Sequence, residues 1–160
     1  MSANAAYVLS NPTTFAATAG AKTILNVIAP AGHGLSLVEF GISFDGVTSS
    51  AVPALVEICQ STQAGAGTSA EAATIVQVRG RLTSGSAPTS GTRYTAEPTT
   101  LSVVRTFYVA QYMGVLVLQL PLGRELECDS SGGTIKAIAM RINVSANVNA
   151  KAYMEVEALG

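Results

Sequence analysis

Apolar and polar residues alternate with a period of two along most of the chain, and no long stretch keeps the 3.6-residue period of a helix. Residues 35–45 show it best, with Val38, Phe40, Ile42 and Phe44 on one face and Glu39, Gly41 and Ser43 on the other. That is the pattern of a strand with one side on a core and one side outward. Residues 52–60 repeat it, setting Ala54, Val56 and Ile58 against Glu57 and Cys59. In residues 22–29, Ile24 and Ile28 oppose Leu25 and Val27, which fits a strand covered on both sides. Residues 74–81, 101–111, 115–120, 134–143 and 150–159 complete about eight predicted strands. In residues 115–120, Leu116, Leu118 and Leu120 point one way, and Pro121 ends the run.

Gly, Pro, Ser and Asp clusters separate these runs, at 30–34, 45–50, 65–69, Gly114 and 130–133. The longest break, residues 82–98, reads as a functional, partner-contacting or mobile loop. A short helical turn is expected in residues 64–73, with Thr68 or Ser69 as its N-cap and Glu71 in its first turn. Residues 1–20 are polar and rich in Ala and Thr, and read as an extended N-terminal arm ahead of one domain at 21–160. The predicted fold class is all-β: an antiparallel β-sandwich, with a jelly roll as the preferred topology and a partly closed barrel behind it.

Length and charge narrow the function classes. One domain of 160 residues can bury a core without disulfide or metal staples. Nine basic and ten acidic residues leave a net charge of −1, which argues against direct nucleic-acid binding and against a polybasic membrane-surface protein. No run approaches the ~18 apolar residues of a membrane helix. Residues 1–10 lack the basic and apolar segments of a secretory signal, so the Asn143-Val144-Ser145 sequon reads as accidental. Cys59 reads as a buried thiol acting as a small hydrophobe. A Cys59–Cys128 bridge is the weaker reading, because a chain made in the cytosol keeps thiols reduced.

The candidate chemistry is sparse, and the sequence predicts no catalytic, cofactor-binding or metal-ligating residue and no enzyme. His33 is the single histidine and is too isolated from Cys59 and Cys128 for a zinc site. Gly65, Gly67 and Ala70 imitate a dinucleotide fingerprint, but a strand resumes near Thr74, too soon for the helix that motif requires. Glu125/Glu127 and Glu155/Glu157 each share a strand face; an exposed row matched by Lys151, Lys136 or Arg141 is favoured over a glycosidase pair or a calcium site. Arg79 and Arg81 make too small a basic cluster for a nucleic-acid backbone. Tyr108 and Tyr112 could form a sugar-stacking platform, with rim packing as the simpler reading.

With only 12% charged residues, much of the surface must be small and polar or else covered, which predicts a homo-oligomer or a subunit of a larger lattice. The runs Phe40-Gly-Ile-Ser-Phe-Asp-Gly46, Pro53-Ala-Leu-Val-Glu-Ile-Cys59, Gln119-Leu-Pro-Leu-Gly-Arg-Glu125 and Ala152-Tyr-Met-Glu-Val-Glu157, with the Ala-Gly-Ala-Gly loop, resemble small virion structural proteins of tailed bacteriophages. The resemblance covers most of the chain from about residue 20. It implies a β-sandwich on the phage particle, several such proteins decorating or cementing the capsid as trimers, with the major capsid protein as partner and no catalytic residues. On that basis the arm would serve attachment, and removing the residues before Lys22 would leave the sandwich folded but weaken attachment. A tail or baseplate subunit and a carbohydrate-binding jelly-roll module are the alternatives.

Overall fold

The computed structural model describes residues 5–17, 20–45, 51–62, 68–80, 87–98 and 100–159. Among them are thirteen strands in two antiparallel sheets packed face to face as a β-sandwich. The first sheet runs β10 (Val115–Gln119), β4 (Gly34–Phe44), β13 (Val148–Leu159), β1 (Ala6–Ser10), β7 (Thr74–Arg79). Two short strands extend it, β11 (Leu126–Asp129) on β4 and β2 (Phe15–Ala17) on β13. The second sheet runs β6 (Thr68–Ala72), β8 (Thr89–Ala96), β3 (Gly20–Ile28), β12 (Ala137–Val144), β5 (Ala54–Ser61), β9 (Leu101–Val109).

The eight predicted strands are all present, as β3, β4, β5, β7, β9, β10, β12 and β13. β13 shows why alternation was so readable. Val148, Ala150, Ala152, Met154, Val156 and Ala158 are buried, while Asn149, Lys151, Tyr153, Glu155 and Glu157 lie on the outer face. β4 departs from its predicted faces at one residue. The register steps from Glu155↔Glu39 to Val156↔Leu37, so Val38 is the extra residue of a β-bulge. Leu35 and Leu37 before it, and Phe40, Ile42 and Phe44 after it, all reach the core, whereas Val38 is only half-buried.

The N-terminal arm is corrected. Ala6–Ser10 pairs with β13 on one side and β7 on the other, placing Tyr7 and Leu9 in the core. Asn11 then pins the chain where it leaves the sheet: its Nδ2 donates to Ala150 O at 3.2 Å, and its Oδ1 accepts from Ala152 N at 2.7 Å. Phe15 on β2 is buried as well. Two further expectations change. The helical turn at 64–73 is, where described, strand β6, and much of the long break at 82–98 is β8. The glycine loop at 65–67 and the turn at 46–50 lie outside the described residues.

A connection between β8 and β9 covers part of the second sheet from outside. Glu97 Oε2 accepts from Thr23 N on β3 at 2.8 Å, and Thr100 Oγ1 lies 3.2 Å from Ser61 Oγ on β5. β12 sits between β3 and β5, so these two bonds fall on either side of it. Small residues beneath, Ala137, Ala139 and Cys59, are fully buried. Beside them Arg141 Nε donates to Glu57 Oε2 at 2.6 Å, a pair only about a quarter exposed or less.

Candidate interaction surfaces

Among the described residues, the sandwich has two open flanks. β9 and β10 end their sheets on the same side, joined by residues 110–114 and held over one core by a Phe40–Phe107 ring contact at 6.0 Å. β6 and β7 end the sheets on the opposite side, with Ala73 alone between them. Edge strands present unpaired backbone groups and are normally protected by charge, proline or a covering loop. Here β7, β9 and β10 carry exposed apolar side chains.

On the β9–β10 flank, Val103, Val104, Tyr108, Tyr112, Met113, Val115 and Val117 are 42–77% exposed. The tip is built to hold two of them outward. Gly114 lies so close to the preceding backbone that a Cβ there would sit 2.0 Å from Ala110 O. Its carbonyl accepts from Phe44 N at 3.0 Å, and Gln111 is fully buried. Between these anchors Met113 takes a φ of 50°, uncommon for a residue with a side chain, and points with Tyr112 into solvent. On the other flank Ile75, Val76 and Val78 of β7 are exposed. Val76 lies opposite Val8, which is itself opposite Glu155, so Val76 shares the outer face of the first sheet.

That outer face carries the polar cluster. Glu39 and Glu155 sit directly opposite each other, an unfavourable pairing of like charges. Tyr153 offsets it by donating its hydroxyl to Glu39 Oε1 at 2.5 Å. Burial and this bond to a carboxylate push the Tyr153 hydroxyl up to about 12. Its ring lies against Gly41, where a Cβ would meet Cε1 at 2.3 Å. Glu157 pairs with Arg79 across the sheet. Two hollows lie on this face: one of about 480 Å³ lined by Arg79 with Glu39, Glu125, Glu155 and Glu157, the other of about 320 Å³ lined by Tyr153 with Asn11, Ser43, Lys151, Val115 and Val117.

The residues singled out from sequence fall as follows. Glu155 and Glu157 do share a face, and Glu125 lines the same hollow, while Glu127 does not join them. Their expected cations are otherwise engaged. Arg141 pairs with Glu57, Lys151 donates to Asn11 O and Pro12 O, and Lys136 donates to Asp129 O. Among the described residues no three His, Cys, Asp or Glu side chains are gathered to hold a metal ion. His33 closes a turn, its N–H donating to Pro30 O at 3.1 Å. Both cysteines are buried and free, so the bridge is not made. Arg79 is paired and Arg81 lies outside the described residues.

Tyr108 and Tyr112 both belong to the apolar flank. Sequence reasoning missed Tyr153 and Gly41, whose contact no spacing announces, because their strands meet only through the β4–β13 register. It placed Val115 and Val117 opposite the leucines of β10, but their exposure depends on β10 being an edge. No helix among the described residues is long and apolar enough to cross a membrane. No family model matches the chain, and comparison with curated proteins and with solved structures found no match either.

Proposed function

We propose that this chain is a non-enzymatic structural protein of a virion, a decoration or cement subunit that binds between capsid subunits and stabilises the phage head. The observation that carries the reading is the row of apolar side chains along both open flanks of a sandwich with only 12% charged residues. Large exposed apolar patches mark surfaces that are covered in use. The strand order supports it. Eight strands run β1-β13-β4-β10 in one sheet and β3-β12-β5-β9 in the other, which we read as the winding of a jelly roll. That architecture serves viral capsid and lectin domains, though a fold alone assigns no function. A cement protein needs no catalytic centre. It adds buried area across joints in a shell, and several weak contacts per oligomer combine through multivalency.

The test is binding of the purified protein to expanded empty capsids lacking it. Saturable binding at a fixed ratio to the capsid protein, with raised resistance of the shell to heat, is the expected result. Absence of binding sinks the reading, and decoration of tails or baseplates relocates it.

A second reading, a carbohydrate-binding module, draws on the Tyr153 ring lying on Gly41 beside Asn11, Ser43 and Lys151. An aromatic face with flanking polar groups is suited to sugar stacking. Binding to a glycan array, abolished by Tyr153→Ala, would favour it over the capsid.

A further inference from the structure

We propose that copies of this chain join head to tail, the open edge of β7 in one copy adding to the open edge of β10 in the next. β7 and β10 are the two ends of the same sheet, and each pairs on one side only among the described residues. Adding one to the other continues the first sheet from copy to copy with main-chain hydrogen bonds.

The side-chain patterns match in that arrangement. Val115 and Val117 of β10 point to the outer face, as does Val76 of β7. β-branched neighbours across strands pack well and would form one apolar stripe. On the inner face Ile75 lies opposite the core residue Leu9, and it would meet Leu116 and Leu118, which are half-buried against the core at an open margin.

The β9–β10 flank presents seven large apolar side chains that are 42–77% exposed, several hundred Å² of surface, which is on the order of one partner's share of a small stable interface. A two-fold pairing of β10 with β10 would cover this flank and leave Ile75, Val76 and Val78 in water. The head-to-tail contact covers both with a single kind of interface. Because the two surfaces differ, the contact is heterologous, and it closes into a ring when the rotation between copies allows.

The proposal rests on the reading of the chain as an assembling structural subunit, and its test needs no capsid. Val76→Cys and Val117→Cys single variants and the double variant are treated with a short bis-maleimide; Cys59 and Cys128 are buried and stay silent. The double variant is expected to give a ladder extending beyond the dimer, and each single variant no cross-linked product. Wild type is expected to sediment as a discrete oligomer, and Val117→Arg as a folded monomer with an unchanged circular dichroism spectrum. Dimers from Val117→Cys alone establish a two-fold contact and overturn the proposal, as does wild type that sediments as a monomer at its highest soluble concentration. Oligomers that fail to bind capsids sink the capsid reading and leave this contact standing. A monomer that binds them does the reverse.

Discussion

Burial raises both thiols, Cys59 to about 11 and Cys128 to about 12, in each case chiefly by loss of hydration. The thiolate is the reactive form, so both should be inert in the native protein. A disulfide exchange reagent such as Ellman's is expected to label neither cysteine at neutral pH, and to label both in denaturant. Rapid native labelling of either contradicts its burial. The two residues also show what a sequence conveys at this scale. The apolar run around Cys59 made it a buried thiol, but the alternation put it on the outer face. It is fully buried there nonetheless, in a sheet whose strands β3 and β5 bond to Glu97 and Thr100, about forty positions along the chain from it. Val38 fits the alternation of its neighbours and is displaced by a bulge that only the partner strand reveals. Local period sees neither a remote covering segment nor a register step.

Among the elements, β1 carries the largest revision. Five residues with Tyr7 and Leu9 on one face make too short an alternation to stand out from a polar, Ala-rich stretch. Its strand character comes from its neighbours, since it fills the gap between β13 and β7. The consequence for deletion is the reverse of what an arm implies. Burying a side chain of this size contributes about 1.5–3 kcal/mol. Losing Tyr7, Leu9 and Phe15 together therefore removes much of the ~5–15 kcal/mol that holds a typical domain folded. A chain starting at residue 21 is expected to lose dispersed amide resonances and to aggregate. Leu9→Ala alone should cost about 2–5 kcal/mol in urea unfolding. A folded, soluble truncation would return these residues to the status of an arm. By contrast, β4, β5, β10 and β13 were legible because each alternates over five or more positions with a proline, glycine or aspartate close to an end.

For the whole molecule, the alkaline limb of stability follows from the same burial. Cys59, Cys128 and Tyr153 are all raised, from ordinary values of 9.0 for the thiols and 10.0 for the phenol. Above about pH 9 the unfolded chain releases protons that the native chain keeps. The native state then binds more protons, so unfolding free energy falls as pH rises from about 9 to about 12, and is unaffected by these groups below that window. The urea midpoint is expected to drop between about pH 9 and pH 12, and less steeply in Cys128→Ala. An unchanged slope in that variant would remove Cys128 from the account. The sequence revealed the layered β architecture because small-residue turns punctuate it. It could not reveal which strands become edges, and the surface offered to partners is decided there.

One property of the connectivity reaches beyond the finished molecule. The middle of each sheet is filled by β12 and β13, the last two strands in chain order, and β13 binds both β4 and the very first strand. While a ribosome is still making the chain, everything translated before residue 137 amounts to two sheets each split in half, with apolar margins exposed where the central strand is missing. Completing either sheet must therefore wait for the last 24 residues to emerge, and until then those margins are open to contact with neighbouring nascent chains.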